Sequence, residues 1–182
     1  MFGECLGVWT ALLFEKMKES QFLFTDNGFS IVEFGPGRAT LMKDILRTLA
    51  QFGKIHDLHV NFVEASPYLQ RVQQETIQQQ LKSLGLFVTF EDRAERNKAP
   101  GVDGALNSCA TLETYDSSFQ GKPIHMRFNW YGSYEGYIAD NFENLSNAYL
   151  EPSDPKNPQT KPILFVCHEF FDAMPAMIFD YS

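Results

Sequence analysis

The sequence predicts an α/β fold built on a doubly wound, mostly parallel sheet. Three observations carry that expectation. Short apolar runs rich in β-formers, Phe29 to Phe34, Leu58 to Val63 and Pro162 to Cys167, alternate with stretches of helical period. The last of them, PILFVC, is apolar throughout, as suits a strand buried on both faces of a parallel sheet. Chemistry-bearing residues stand where the runs stop: Gly35 and Gly37 after the first, Glu64 after the second, and His168, Glu169 and Asp172 after the last. In doubly wound sheets ligands bind beyond the carboxyl ends of the strands.

Taken in order, Leu6, Trp9, Leu13 and Met17 recur at helical spacing and predict an amphipathic helix from Phe2 to about Ser20. Thr25-Asp26-Asn27-Gly28 is turn chemistry, and FSIVEF over 29–34 is a short buried strand running into the Gly35-Pro36-Gly37 loop. A helix follows, with Leu41, Met42, Ile45, Leu46, Leu49 and Phe52 on one face and Gly53 as its stop. Leu58, Val60 and Phe62 alternate with His59, Asn61 and Val63 in a second strand that ends at Glu64. Ser66 then caps a further helix with Pro67 at its first position, where a missing N–H costs nothing. In that helix Leu69, Val72, Leu81 and Leu84 are expected to face inward, Gly85 ends it, and Gln70, Gln73, Gln74, Gln78, Gln79 and Gln80 read as a solvated face without function. LFVTF over 86–90 reads as a third strand. Residues 91–121 are polar and irregular, with no element expected. Ile124, Met126, Phe128 and Trp130 alternate as another strand, and 151–162, with four of the nine prolines, reads as a loop.

Composition narrows the function classes. Lys and Arg number 15 against 23 Asp and Glu, a net charge of −8, which argues against a broad nucleic-acid surface because such surfaces cluster cations against phosphate. A small molecule or a protein is the expected partner. Cys5, Cys109 and Cys167 form no CxxC pair and no His/Cys cluster at metal spacing, so neither a disulfide framework nor a metal site is expected. The apolar run from Leu6 to Phe14 is too short to cross a bilayer and lacks the marks of a signal peptide, so no membrane insertion is expected. No repeat of 20 to 50 residues recurs.

The most informative stretch is Glu33-Phe34-Gly35-Pro36-Gly37-Arg38-Ala39-Thr40, between a strand and a helix. Gly35 and Gly37 allow a sharp turn and close approach of a ligand to the main chain, and the helix start offers N–H donors. An ordinary strand-to-helix turn would need no carboxylates. Here Glu33 precedes the loop by two residues, and Glu64 ends the next strand, where an acid accepts hydrogen bonds from both ribose hydroxyls. Thr40 stands where a dinucleotide fingerprint asks for Gly or Ala, and no Lys-Ser/Thr follows as in a P-loop, which disfavours a nucleotide-dependent oxidoreductase. A cofactor with a ribose and an amino-acid portion but no phosphate suits flanking carboxylates best, and S-adenosyl-L-methionine has that composition.

The stretch EFGPGRATLMKDILR resembles the cofactor loop of class I S-adenosylmethionine-dependent methyltransferases, specifically the MidA family, the mitochondrial complex I assembly arginine methyltransferases. FGECLGVW at 2–9, VEASPYLQ at 63–70 and CHEFFDAMP at 167–175 resemble further blocks of that family in the same order. The resemblance implies a Rossmann-like sheet in a single partial domain over 1–182, with 91–160 a loop-rich insertion. It implies S-adenosyl-L-methionine as cofactor, contacted by Glu33, Gly35, Pro36, Gly37, Arg38, Glu64, Ala65 and Ser66. Of these, Glu33, Gly35 and Gly37 would hold the methionine end and Glu64 the ribose, with Arg38 and Ser66 as neighbours rather than anchors. Glu169 and Asp172 would be catalytic, facing the transferred methyl and an arginine of a protein substrate, by resemblance a complex I subunit, in the mitochondrion. Carboxylates suit that role because they bind a guanidinium fork bidentately. Their alternative is capping of a helix after the last strand. His168 and Trp130 read as packing residues, and the role of Tyr131, Tyr134 and Tyr137 is open.

Two departures from the family bear on activity. Ala39 replaces a third loop glycine, so its methyl is expected to narrow the cofactor site. The readable strands number five where a methyltransferase sheet has seven, so the chain is expected to be the cofactor-facing part of a larger fold, truncated at both ends, with an unpaired edge at its last strand. A catalytically silent assembly or scaffold module is the alternative these departures favour.

Overall fold

The computed structural model describes residues 1–19, 29–88, 90–92, 106–115, 123–141 and 163–168. In chain order the elements are α1 (Phe2–Glu19), β1 (Phe29–Phe34), α2 (Thr40–Gln51), β2 (Leu58–Val63), α3 (Pro67–Ser83), β3 (Glu91–Asp92), β4 (Leu106–Tyr115), β5 (Pro123–Tyr131) and β6 (Ile163–Val166). Residues 134–141 are helical as well. The turn expected at Thr25–Gly28 and the loop expected at 151–162 lie outside the described residues.

The sheet runs β3-β4-β5-β2-β1-β6. β1 pairs in parallel with β2 and with β6, and β2 pairs in parallel with β5. β4 is antiparallel to β5, and β3 to β4, at the other edge. From β1 the chain adds β2 beside it, crosses to the far edge for β3, steps back through β4 to β5 next to β2, and then crosses to the other side of β1 for β6. Strand order reverses between β1 and β6, which is the place where a doubly wound sheet opens a ligand crevice. The expected mostly parallel α/β sheet is what forms.

Alternation along the strands divides the side chains between two cores. Phe29, Ile31, Leu58, Val60, Phe62, Met126, Phe128 and Trp130 pack with Ala11 and Phe14 of α1, Met42, Ile45, Leu46 and Leu49 of α2, and Ile77 and Leu81 of α3. Val32, Val63 and Tyr131 face the other way and pack with Tyr137 of the 134–141 helix. The four α2 side chains are fully buried, and each contributes about 1.5–3 kcal/mol.

α2 and α3 both stop as expected. Gly53 (φ 64°) and Gly85 (φ 79°) adopt the left-handed conformation that lets the chain fold back on the last turn. The Lys54 N–H donates to the Leu49 carbonyl at 2.8 Å, and the Leu86 N–H to the Leu81 carbonyl at 2.9 Å. At the start of α3 the Ser66 hydroxyl accepts from the Leu69 N–H at 3.3 Å, with Pro67 in the first turn.

Several details differ from expectation. β6, at the sheet edge, is not buried on both faces, since Phe165 is exposed and Ile163 and Leu164 are half-buried, and Phe52 at the end of α2 is exposed. In α1 the inward face is Gly3, Gly7, Thr10, Ala11 and Phe14, whereas Trp9 is 50% exposed. The cause is close helix packing: a Cβ at Gly3 would lie 2.6 Å from the Asp44 Cβ, and one at Gly7 would lie 2.6 Å from the Thr48 Cβ. The small side of α1 meets α2, while Phe14 is buried, Leu6 and Met17 pack at the core's margin, and Val8, Trp9 and Leu12 turn outward. In α3 the buried residues include Gln70, Gln73 and Gln80, while Leu69 and Val72 are half-buried, so the glutamines are not all a solvated face. Residues 86–88 and Phe90 are not strand. Leu86 and Val88 are instead core anchors, and the Gln78 amide donates to the Val88 carbonyl at 3.1 Å, occupying an acceptor that a ladder would use. Finally, Leu106–Tyr115 is a ten-residue strand inside the segment where no element was expected.

Candidate functional site

The carboxyl ends of β1, β2, β5 and β6 lie side by side, and the loops leaving them carry the residues singled out in the sequence. The turn after β1 starts where the ladder stops: the Gly35 N–H donates to the Val63 carbonyl at 3.0 Å. Gly35 (φ 59°), Gly37 (φ 55°) and Ala39 (φ 56°) all take left-handed backbone, and the Ala39 N–H donates to the Pro36 carbonyl at 2.8 Å. α2 then begins with no side-chain cap. Pro36 is buried beneath this turn and Arg38 is exposed on it.

A Cβ at Gly37 would meet nothing within 4 Å. The loop thus presents bare main chain to open space, as a backbone that a ligand approaches closely must. The third left-handed position corrects the expectation for Ala39. Its side chain is fully buried in the main core, so its methyl packs into the protein and its cost is backbone strain.

Glu33, the next-to-last residue of β1, is 3% exposed, and its Oε2 has no hydrogen-bond partner among the described residues. Burial alone pushes its carboxyl up to about 8 from an ordinary 4.5. A buried acid with an unsatisfied oxygen at the end of a sheet strand fits a cationic ligand group, which would supply the missing partner.

Glu64 follows β2 directly and is held at every polar atom. Its N–H donates to the Tyr131 carbonyl at 2.9 Å, and its carbonyl accepts from the Gln70 amide at 2.6 Å. Oε1 accepts from the Ser66 N–H at 2.8 Å and Oε2 from the Gln73 amide at 3.2 Å. Each carboxylate oxygen has a second lone pair, so the pair can still accept from a diol. Ala65 is exposed next to it, and Ser66 serves as the α3 cap.

Trp130 packs as expected, fully buried, its ring 4.9 Å from that of Phe62 and edge-on to Phe90 at 5.2 Å. Tyr131 and Tyr137 are core residues of the opposite face, with perpendicular rings 5.4 Å apart, and Tyr134 is exposed. His168, just past β6, rests its ring 5.2 Å from that of Phe2, which brings the start of α1 to the same end of the sheet. Glu169 and Asp172 lie outside the described residues. Among the described residues no group of three or more His, Cys, Asp or Glu side chains is placed to hold a metal, and no helix is long and apolar enough to cross a membrane.

The structure therefore brings Glu33, the Gly35–Gly37 loop and Glu64 to one end of two adjacent strands. Sequence reasoning missed Gln73, which is fully buried and touches both the loop and Glu64. A signal was present: Ile77 and Leu81 mark the inward face of α3, and Gln73 lies four residues before Ile77 on that face.

A family model described as "Putative S-adenosyl-L-methionine-dependent methyltransferase" matches residues 5–182. A Xenopus laevis relative named protein arginine methyltransferase NDUFAF7, mitochondrial, is 26% identical over 178 residues, 96% of this chain and 29% of that protein. The Homo sapiens protein of the same name is 39% identical over 80 residues, 42% of this chain and 17% of its own. A Drosophila melanogaster homologue is 36% identical over 73 residues, 40% and 15% respectively. The chain spans less than a third of the length of these relatives.

Proposed function

The chain belongs to this family of S-adenosyl-L-methionine-dependent methyltransferases, and from that premise we propose that it forms the cofactor-binding part of a protein arginine N-methyltransferase. The observation that carries the cofactor reading is the pairing of the open main chain at Gly37 with the unsatisfied carboxyl of Glu33. In this reading Gly35, Pro36 and Gly37 shape the turn on which the amino-acid portion lies, and Glu33 receives its ammonium. Glu64 accepts from the ribose hydroxyls. Ala65 and Ser66 border the ribose, and Arg38 borders the loop.

When bound, S-adenosyl-L-methionine supplies an electrophilic methyl group on its sulfonium. What the chain adds is alignment and charge. Glu169 and Asp172, three and six residues past β6 in sequence, are assigned to the guanidinium, which they would orient and hold as a charged pair. The substrate class follows from relatives named as arginine methyltransferases, the mitochondrial setting from the same names, and a complex I subunit as the target from the family resemblance.

Titration calorimetry of the 182-residue chain with S-adenosyl-L-methionine, S-adenosyl-L-homocysteine and NAD tests the cofactor reading. Binding of the first two and not of NAD is expected, with loss on Gly35→Val or Glu64→Ala. Failure of the folded chain to bind any of them would overturn it. Cofactor binding without methylation of arginine peptides would favour the silent assembly module or a chain without its substrate-binding part.

A further inference from the structure

We propose that Gln73 is a positioning residue that ties the Gly37 loop to the ribose-facing carboxylate of Glu64, with Trp130 fixing its orientation. The proposal rests on the cofactor reading above and adds to it a residue outside every motif of the sequence. Gln73 projects from the second turn of α3 and is fully buried. Its amide nitrogen donates to the Gly37 carbonyl at 2.8 Å and to Glu64 Oε2 at 3.2 Å, while its amide oxygen accepts from the Trp130 indole N–H at 3.0 Å. One side chain therefore bridges the loop after β1, the residue after β2 and the body of β5.

The chemistry leaves a single orientation for this amide. An indole nitrogen only donates, so the atom facing Trp130 must be the carbonyl oxygen. The amide nitrogen then points toward two acceptors and spends both of its protons on them. Trp130 cannot yield, since it is fully buried between Phe62 and Phe90. The result is a rigid strut: if the loop shifts, Gln73 carries the displacement to Glu64. The two ends of a bound cofactor, one on the loop and one on Glu64, are thereby held at a set separation. An apolar residue of the same length would leave the Trp130 N–H buried without a partner, take the Gln73 amide from the Gly37 carbonyl and release Glu64 Oε2.

The test uses Gln73→Met, which keeps length and loses all three hydrogen bonds, and Trp130→Phe, which keeps an aromatic ring and removes the orienting donor together with part of the buried ring volume. The probe is S-adenosyl-L-homocysteine, titrated well below each thermal midpoint, with the indole N–H resonance of Trp130 followed by NMR. Gln73→Met is expected to raise Kd about tenfold or more, and Trp130→Phe to raise it severalfold. The Trp130 N–H resonance should move toward the position of an indole without a partner in Gln73→Met. In a cycle with Glu64→Gln the losses should be non-additive, the double variant binding about as weakly as the weaker single variant, which a merely structural role would not produce. If Gln73→Met fails to fold, Trp130→Phe decides by the same reading of Kd. Wild-type affinity in the variants, or losses that multiply in the cycle, would overturn the proposal and leave the cofactor reading standing. Absence of binding by the wild-type chain would instead overturn the cofactor reading.

Discussion

At the scale of single residues, Glu33 and Ala39 set the terms on which the loop folds. Glu33 holds a carboxyl whose pKa is raised by burial from 4.5 to about 8. Its neutral form is the one the fold accepts, so its contribution is fully present below pH 4.5 and declines as pH rises toward 8, where the folded carboxyl ionises as well. The slope is at most about 1.4 kcal/mol per pH unit. Glu33→Gln should remove that slope, so urea titrations at pH 5, 6.5 and 8 should show the variant gaining on the wild type as pH rises. A constant difference across the series would contradict the assignment. Ala39 is buried in left-handed backbone, a conformation that costs a non-glycine residue about 1–2 kcal/mol. Ala39→Gly trades that strain against a buried methyl worth about 0.8 kcal/mol and extra freedom in the unfolded chain, so its effect should stay within about 1 kcal/mol. Ala39→Val adds a β-branch to both problems and should cost about 3 kcal/mol or more, read as a thermal denaturation shift. The Gly35–Gly37 loop and the carboxylates at Glu33 and Glu64 were legible in the sequence because glycine and acid at a strand end have few other uses there. The conformation of Ala39 and the burial of Gln73 were not, because each is decided by contacts with residues far along the chain.

At the scale of elements, the seam between α1 and α2 gives the sharpest prediction. In an exposed helix, replacing glycine by alanine stabilises by about 1 kcal/mol. At Gly7 the sign should reverse, because the new Cβ would stand 2.6 Å from the Thr48 Cβ, and overpacking of this kind costs about 1–3 kcal/mol. Cys5→Ala, on the exposed side of the same helix, should change stability by no more than about 0.5 kcal/mol. Urea denaturation of both variants checks the pair. The same seam explains why the helix itself was legible while its inward face was not: apolar spacing finds Leu6 and Met17, but only the facing helix reveals that Gly3 and Gly7 are the contact. β1, β2, β5 and β6 announce themselves by alternation or by an unbroken apolar run. β4 does not, since LNSCATLETY has neither, and what defines it is main-chain pairing with β5 from Leu106 to Tyr115. LFVTF misleads in the opposite way, its Leu86 and Val88 serving as core anchors after α3.

At the scale of the whole molecule, the described sheet is centred on β2, flanked by β1 and β5, with β6 outermost on the crevice side. Amides of Val60, Phe62, Phe128 and Trp130 should exchange hydrogen most slowly, and those of Leu164 and Phe165 faster, because β6 is paired on one side only among the described residues. Native-state hydrogen exchange read by mass spectrometry or NMR checks the ranking, and equal protection of β6 would show that another part of the protein covers it. The backbone-close seam has a mechanical meaning at this scale. With no side chains to slide over one another at Gly3 and Gly7, α2 cannot move along its axis without dragging α1, and the first turn of α1 ends at the Phe2 ring against His168. The two flanks of the crevice, one leaving β1 and the other leaving β6, are thus joined through α1, which meets α2 at Gly3 and Gly7 and His168 at Phe2.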